Sequence, residues 1–106
     1  MINELDPSEL AQMIKNNDEF DLVDVREDSE LQICKLNYTH HIPIASIPQS
    51  IHKLDKARKT VIYCRSGGRS FNCAQYLESN GFKNVYNLTG GILAWSDKID
   101  HNIQKY

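Results

Sequence analysis

Short apolar runs alternate with amphipathic stretches along the chain. Runs rich in β-branched and apolar residues predict extended segments at residues 2–5, 20–25, 40–44, 60–63 and 84–88. The third of these is expected to be extended because Ile42 precedes Pro43, and the residue before a proline is disfavoured in the helical region.

Helices are predicted between the extended segments. Asp6 is suited to cap the first helix, with Pro7 at its first position and Glu9 completing a capping box. Residues 16–18 are expected to end this helix. Apolar residues at helical spacing predict further helices at residues 29–34, 47–57, 70–80 and around Trp95. Gly81 is expected to close the helix before it in a left-handed conformation.

Strands that alternate with helices are typical of an α/β domain. The sequence therefore predicts one domain over residues 1–106, with a mainly parallel central sheet of about five strands and helices on both faces. In such sheets, ligands bind beyond the carboxyl ends of the strands. Cys64 follows the segment 60–63 directly and is expected at that edge.

The composition narrows the classes of partner. The 106 residues are 41% hydrophobic and carry a formal net charge of -2, which argues against a nucleic-acid partner because phosphates are usually bound by a basic surface. No signal peptide and no apolar stretch of membrane-spanning length is recognisable, so no membrane partner is expected. The cysteines, Cys34, Cys64 and Cys73, form no C-x-x-C pair. Their odd number indicates free thiols, and a cytoplasmic location is expected.

The segment after residue 63 carries the candidate chemistry. Cys64 is followed by two glycines and then by a predicted helix, so backbone N–H groups and the helix N-terminus are expected to surround an anion there. Arg65 and Arg69 add positive charge nearby. A free cysteine has a pKa of about 8.5, and lowering it by about two pH units needs roughly 2.7 kcal/mol. Helix-end effects and charge-assisted hydrogen bonds are able to supply that much, so Cys64 is predicted to be a nucleophile.

Several motifs occur in an order that resembles the rhodanese family. The stretch from Cys64 to Arg69 is similar to the family's active-site pattern C-x-x-G-x-R. Residues 22–27 resemble its first motif, and residues 42–44 resemble its extended segment. The closing motif of the family is similar to residues 81–82, 87–91 and 94–95. Together the likeness spans nearly the whole chain between residues 21 and 95.

This resemblance implies a rhodanese-type sulfurtransferase. In the family, the loop cysteine takes a sulfane sulfur from a donor such as thiosulfate, and cyanide or a thiol then removes it, which fits ping-pong nucleophilic catalysis. By resemblance, Cys64 would carry the persulfide, Arg69 would anchor the loop, and Arg65 would meet an anionic donor. The persulfide-binding loop would comprise Arg65, Ser66, Gly67, Gly68 and Arg69. A protein cysteine in a sulfur relay is an alternative acceptor.

The same fold also hosts other activities, so the fold alone does not decide the function. Protein tyrosine phosphatases and the rhodanese-fold cell-cycle phosphatases resemble C-x-x-x-x-x-R, whereas four residues separate Cys64 from Arg69 here. The shorter loop suits a single sulfur atom better than a phosphate. A phosphatase, an arsenate reductase and a non-catalytic interaction module are the alternatives. One departure from the family is Tyr38-Thr39, where a Gly-Ala or Gly-Ser step is common.

Polar residues outside the loop are candidates for further roles. Asp24 and Arg26 end a predicted strand and are expected to support the site, by preference as an ion pair or cap that steadies the loop. His40 and His41 are predicted to be edge-strand residues. No metal or other cofactor is expected, because no set of ligands has suitable spacing.

The remaining cysteines and the last residues receive structural interpretations. Cys34 and Cys73 are predicted to be small buried hydrophobic residues. The polar segment 99–106 is expected to fray.

Overall fold

Apolar β-branched runs build a five-stranded sheet in the computed structural model, which describes residues 2–106. The strands are Asn3–Leu5 (β1), Asp21–Asp24 (β2), His40–His41 (β3), Thr60–Tyr63 (β4) and Val85–Leu88 (β5). Their spatial order is β1-β5-β4-β2-β3, and every pair is parallel. The predicted α/β fold with a parallel sheet is therefore confirmed.

Alternation of side chains along the strands divides the core into two clusters, one on each face of the sheet. On β4, Val61 and Tyr63 belong to one face, while Ile62 and the following Cys64 belong to the other. The first cluster contains Val23, Val25, Ile42, Ile47, Leu54, Ile62, Cys64, Cys73, Ala74, Leu77, Phe82 and Val85. The second contains Leu5, Leu10, Met13, Leu22, Leu36, Val61, Tyr63, Leu88, Ile92 and Trp95. The candidate cysteine is thus part of the buried core.

Helices cover both faces, as predicted. They are Pro7–Lys15 (α1), Asp28–Leu31 (α2), Ile47–Ser50 (α3), Gly68–Ser79 (α4) and Gly91–Lys98 (α5), with 3-10 turns at Ile44–Ser46 and Ile51–Lys53. The capping box predicted for α1 is confirmed, because the Asp6 N–H donates to Glu9 Oε1 at 3.0 Å and the Asp6 side chain accepts from the helix start. Gly81, which follows the C-cap residue Asn80 of α4, has φ +92°, and this confirms the left-handed closure. Over residues 2–106, no helix combines the length and apolar character needed to cross a membrane.

Some helix boundaries differ from the predicted ones. The helix predicted over residues 47–57 loses its α form after Ser50 and ends at Leu54, whose extended backbone (φ -106°, ψ 149°) places its side chain in the first cluster. Burial of this leucine outweighs continuation of the helical pattern. The helix predicted from residue 29 spans Asp28–Leu31, and α4 begins at Gly68, earlier than predicted.

The predicted extended segment at residues 40–44 lies at the edge of the sheet. Only His40 and His41 form a strand, so their predicted edge position is confirmed. The backbone N–H of Ile42 still donates to the Asp24 carbonyl at 2.9 Å. At the departure from the family pattern, Leu22 N–H donates to Thr39 Oγ1 at 2.9 Å, so the threonine hydroxyl joins this segment to β2.

Residues 99–106 are packed, and the prediction that they fray is wrong. Ile99, Ile103 and Tyr106 lie against the second cluster, and Ser96 Oγ donates to the Ile103 carbonyl at 2.7 Å. Three apolar side chains in an otherwise polar stretch favour this packing, because each removes apolar surface from water where it meets the second cluster.

Candidate active site

Cys64 is the first residue beyond the carboxyl end of β4, the central strand of the sheet. The chain then turns through residues 65–67 and enters α4 at Gly68. Cys64 is only 1% exposed, whereas the neighbouring Arg65, Ser66 and Gly68 are exposed. The thiol therefore lies below a short surface loop.

Hydrogen-bond donors converge on the sulfur of Cys64. The Gly67 N–H donates to Sγ at 3.1 Å and the Ser70 N–H at 3.4 Å, and Ser70 Oγ lies 3.3 Å away. Burial by itself raises the pKa of the Cys64 thiol, but the Ser70 hydroxyl and the amides of Ser70, Gly67 and Ser66 outweigh it and lower the pKa. The arrangement is suited to hold negative charge on sulfur.

The loop conformation requires Gly67. This residue has φ +106°, which side chains with a Cβ rarely adopt, and a Cβ there would lie 3.4 Å from Gly90 N and 3.7 Å from the Leu88 carbonyl oxygen. The left-handed turn allows its N–H to reach Sγ while the backbone approaches β5.

The start of α5 fixes the other side of the loop. Ile92 N–H donates to the Cys64 carbonyl at 2.9 Å, and Leu93 N–H donates to the Arg65 carbonyl at 3.1 Å. These contacts are possible because Gly91, with φ +60°, has no side chain. A Cβ at Gly91 would lie 2.5 Å from both carbonyl oxygens. Two N–H groups of the first turn of α5, which have no partner within the helix, thus hold the backbone at the candidate nucleophile.

Arg69 points to Glu30 of α2. Its guanidinium donates to Glu30 Oε1 at 2.7 Å and to Oε2 at 2.8 Å, a bidentate pair, and the Tyr106 hydroxyl donates to Oε2 at 2.6 Å. These bonds from Arg69 outweigh burial and hold the pKa of Glu30 at about 2, and the same pairing raises the pKa of Arg69. The contacts place Arg69 as a brace between the loop and α2.

Asp24 and Arg26 form a fully buried ion pair. Arg26 Nη2 lies 2.7 Å from Asp24 Oδ2, and neither side chain is exposed. Arg26 also donates to the Cys34 carbonyl at 2.8 Å and to the Tyr106 hydroxyl at 3.0 Å. Burial lowers the pKa of Arg26, but the bonds with Asp24 and Tyr106 reverse this and raise it. The pair is connected to Arg69 through Tyr106 and Glu30. That it steadies the loop stays a prediction.

Arg65 lies at the surface beside Tyr106. Its guanidinium donates to the Tyr106 backbone oxygen, and its Cζ is 5.2 Å from the centre of the tyrosine ring. Arg65 is therefore an exposed residue of the loop with Tyr106 as a partner, and its role toward an anionic donor stays a prediction.

The two other cysteines differ in their burial. Cys73 is 3% exposed, and burial raises the pKa of its thiol to about 11, so the prediction of a buried hydrophobic residue is confirmed. Cys34 packs against the second cluster but is only partly buried, so the prediction of a buried residue is corrected for it. Within residues 2–106, no group of three or more His, Cys, Asp and Glu is placed to hold a metal ion.

Sequence reasoning did not assign four polar residues to this site: Ser70, Asn87, Glu30 and Tyr106. Ser70 Oγ lies 2.5 Å from Asn87 Oδ1, and Asn87 Nδ2 donates to the Gly67 carbonyl at 3.2 Å. The local sequence marks Asn87 as a candidate, since it is a polar side chain within a buried strand. Nothing in the local sequence marks Glu30, because its partner Arg69 is 39 residues away along the chain.

Comparison with known proteins gives consistent matches. The family model for the rhodanese-like domain matches residues 6–98. The putative sulfurtransferase YtwF of Bacillus subtilis (strain 168) is 40% identical over 94 residues, which cover 89% of this chain and 90% of that protein. Rhodanese-like/PpiC domain-containing protein 12, chloroplastic, from Arabidopsis thaliana is 42% identical over 93 residues; the match covers 84% of this chain but 31% of that protein. The crystal structure of a rhodanese-like domain protein from Staphylococcus aureus has a TM-score of 0.85 and 28% identity, with 99% of each chain covered.

Proposed function

The chain belongs to the rhodanese-like domain family, and we propose that it is a sulfurtransferase in which Cys64 carries sulfur as a persulfide. The observation that carries the proposal is the convergence of two backbone N–H groups and one hydroxyl on Cys64 Sγ. Such donors stabilise a thiolate before reaction and do not have to reorganise during it. The similar YtwF, named a putative sulfurtransferase, supports the same activity.

The first half-reaction loads the cysteine. The Cys64 thiolate attacks the outer sulfur of thiosulfate, the S–S bond of the donor breaks, and sulfite leaves with the electron pair. One negative charge passes from Sγ to the terminal sulfur of the new persulfide. The loop amides of residues 65–69 are proposed to hold that charge, because several N–H groups around a small anion form a cradle.

The second half-reaction restores the thiolate. Cyanide or a thiolate attacks the terminal sulfur, the bond to Sγ breaks, and Sγ keeps the electron pair. No proton transfer is needed when the attacking group is already ionised, so the mechanism requires no general base. The acceptor is a small molecule or a cysteine of another protein, and the latter would make the chain a persulfide carrier.

Arg65 and Arg69 are proposed to have separate roles. Arg65 is an exposed residue of the loop, and its guanidinium, which donates to the Tyr106 backbone oxygen, is suited to meet an anionic donor such as thiosulfate. Arg69 is occupied by Glu30, so it braces the loop. Four residues between Cys64 and Arg69 leave a ring that suits one sulfur atom better than a phosphate group.

The proposal is tested by mass spectrometry after treatment with thiosulfate. The intact protein is expected to gain one sulfur atom, and cyanide is expected to remove it and form thiocyanate. Cys64→Ser should gain no sulfur, whereas the matched control Cys73→Ala should load like the wild type, because burial keeps the Cys73 thiol protonated. Discharge is then compared for a small thiol and for a protein thiol to separate an enzyme from a carrier.

Two results would contradict the proposal. One is the absence of a sulfur adduct in the wild type together with hydrolysis of an aryl phosphate, which would indicate a phosphatase. The other is an adduct of the same stoichiometry in Cys64→Ser, which would place the sulfur on another residue.

A further inference from the structure

The side-chain amide of Asn87 has one orientation fixed by its neighbours. Asn87 lies on β5 and is 3% exposed. Its Nδ2 is 3.2 Å from each carboxylate oxygen of Glu4 and 3.2 Å from the Gly67 carbonyl. Carboxylate and carbonyl oxygens only accept hydrogen bonds, so the NH2 group must face them. The Oδ1 atom is therefore turned to Ser70 Oγ, 2.5 Å away, and acts as an acceptor.

The hydroxyl of Ser70 has one proton and three acceptors within reach. These are Asn87 Oδ1 at 2.5 Å, Cys64 Sγ at 3.3 Å and the Gly67 carbonyl at 3.3 Å. When Cys64 is a thiol, its S–H donates to Ser70 Oγ, and the Ser70 proton stays on the short bond to Asn87. When Cys64 is a thiolate, sulfur only accepts, so the Ser70 hydroxyl turns to it and the buried Asn87 oxygen loses its donor. A buried acceptor without a donor is destabilising.

We propose that Asn87 is a positioning residue that acts on Cys64 through Ser70, by competing with the thiolate for the Ser70 hydroxyl. This inference rests on the proposed function of Cys64 as the sulfur carrier. Asn87 keeps the thiolate from being fully stabilised, and a thiolate with a higher pKa is the stronger nucleophile. In the persulfide the inner sulfur has lost its charge, so the Ser70 hydroxyl returns to Asn87. Asn87 thus favours the loaded state over the free thiolate.

The charged and titratable groups around Cys64 are left unchanged in the test. On α4, Arg69 and Cys73 interact electrostatically with Cys64. Glu30 of α2 is paired with Arg69, and Glu4 of β1 accepts hydrogen bonds from Asn87 Nδ2. Neutral substitutions at residues 70 and 87 therefore change hydrogen bonds without changing the net charge of the site.

The experiment measures the pKa of Cys64 from the pH dependence of its alkylation. Cleavage after lysine and arginine places Cys34, Cys64 and Cys73 on separate peptides, so each thiol is read independently by mass spectrometry. Asn87→Ala is expected to lower the pKa of Cys64 by about half to one pH unit, because the Ser70 hydroxyl is released to sulfur. Ser70→Ala is expected to raise it by a similar amount. Ser70→Thr, which keeps the hydroxyl, should restore the wild-type value.

The double variant isolates the path of the effect. Because Asn87 acts through Ser70, Ser70→Ala with Asn87→Ala should titrate like Ser70→Ala alone. Asn84→Ala is the matched control. Its amide donates to the Ala57 carbonyl at 3.4 Å in an exposed turn, so the Cys64 pKa should be unchanged.

The inference is overturned if Asn87→Ala raises the Cys64 pKa, as loosening of the loop alone would do, or if its effect persists without the Ser70 hydroxyl. Circular dichroism checks that the variants fold, and Asn87→Leu, which keeps the branched shape of the side chain without its polar atoms, takes the place of Asn87→Ala if the latter does not. Sulfur loading is measured separately. If the Cys64 pKa falls in Asn87→Ala and rises in Ser70→Ala but the wild type accepts no sulfur, the proposed function is refuted while the role of Asn87 is supported.

Discussion

Replacing Gly91 by alanine tests whether the start of α5 clamps the loop of Cys64. The new Cβ would lie 2.5 Å from the carbonyl oxygens of Cys64 and Arg65 and 2.6 Å from the Arg65 carbonyl carbon. All three atoms belong to the backbone, so no side-chain rotation relieves the overlap. The helix start must move away from the loop, and the hydrogen bonds from Ile92 and Leu93 are then stretched or lost.

The magnitude follows from the backbone angle and the two hydrogen bonds. A left-handed conformation costs a residue with a side chain about 1–2 kcal/mol relative to glycine, and Gly91 has φ +60°. Each hydrogen bond contributes about 0.5–1.5 kcal/mol. We therefore expect the free energy of unfolding to fall by about 2–5 kcal/mol, a large part of the stability of a small domain. Sulfur loading of Cys64 should fall with it, because the carbonyl of Cys64 loses its anchor.

Gly68→Ala is the matched control in the same region. A Cβ at Gly68 would meet nothing within 4 Å. Where the native backbone accepts alanine, replacing glycine stabilises a protein by about 0.4–1 kcal/mol, because alanine restricts the unfolded chain more than glycine does. Urea unfolding followed by circular dichroism should therefore show Gly68→Ala at or above wild-type stability and Gly91→Ala well below it. Equal stability of Gly91→Ala and the wild type would refute the clamp.

Two further predictions concern the charged network behind the loop. Arg26→Met should lower the free energy of unfolding by about 3–5 kcal/mol, because it leaves the buried Asp24 carboxylate without its partner. Adding Asp24→Asn should recover part of this loss. A loss below about 1 kcal/mol for Arg26→Met would contradict this reasoning. The Glu30–Arg69 pair should make stability depend on pH, because the pKa of Glu30 is lowered from 4.5 to about 2 in the folded protein. The contribution of the pair to the free energy of unfolding is complete above pH 4.5 and is lost as the pH falls toward 2. We expect it to be about 1 kcal/mol, because Arg69 is partly exposed. Acid unfolding of Glu30→Gln should lack this component, and an unchanged profile would show that the pair contributes nothing.

The order of strands and helices could be read from the sequence because it depends on local rules. Alternating apolar side chains, the capping box at Asp6 and the glycine closure at Gly81 act over a few residues. Where tertiary contacts compete, local rules fail. Leu54 leaves a helical pattern to enter the core, and residues 99–106 pack on the sheet despite their polar character.

That Cys64 directly follows an apolar strand and begins a glycine-containing turn into a helix was predictable from the sequence, because these elements are consecutive along the chain. The central position of that strand in the sheet was not, because it depends on how the five strands are ordered in space. That the loop residues bind a persulfide stays a prediction. The partners of the polar side chains around the loop depend on the folded chain: Asn87 meets Ser70 across 17 residues, Glu30 meets Arg69 across 39, and Tyr106 meets Arg26 across 80. Hydrogen bonds and ion pairs depend on distances of about 3 Å in space, and such distances between remote residues exist only after the sheet has brought its strands and helices together.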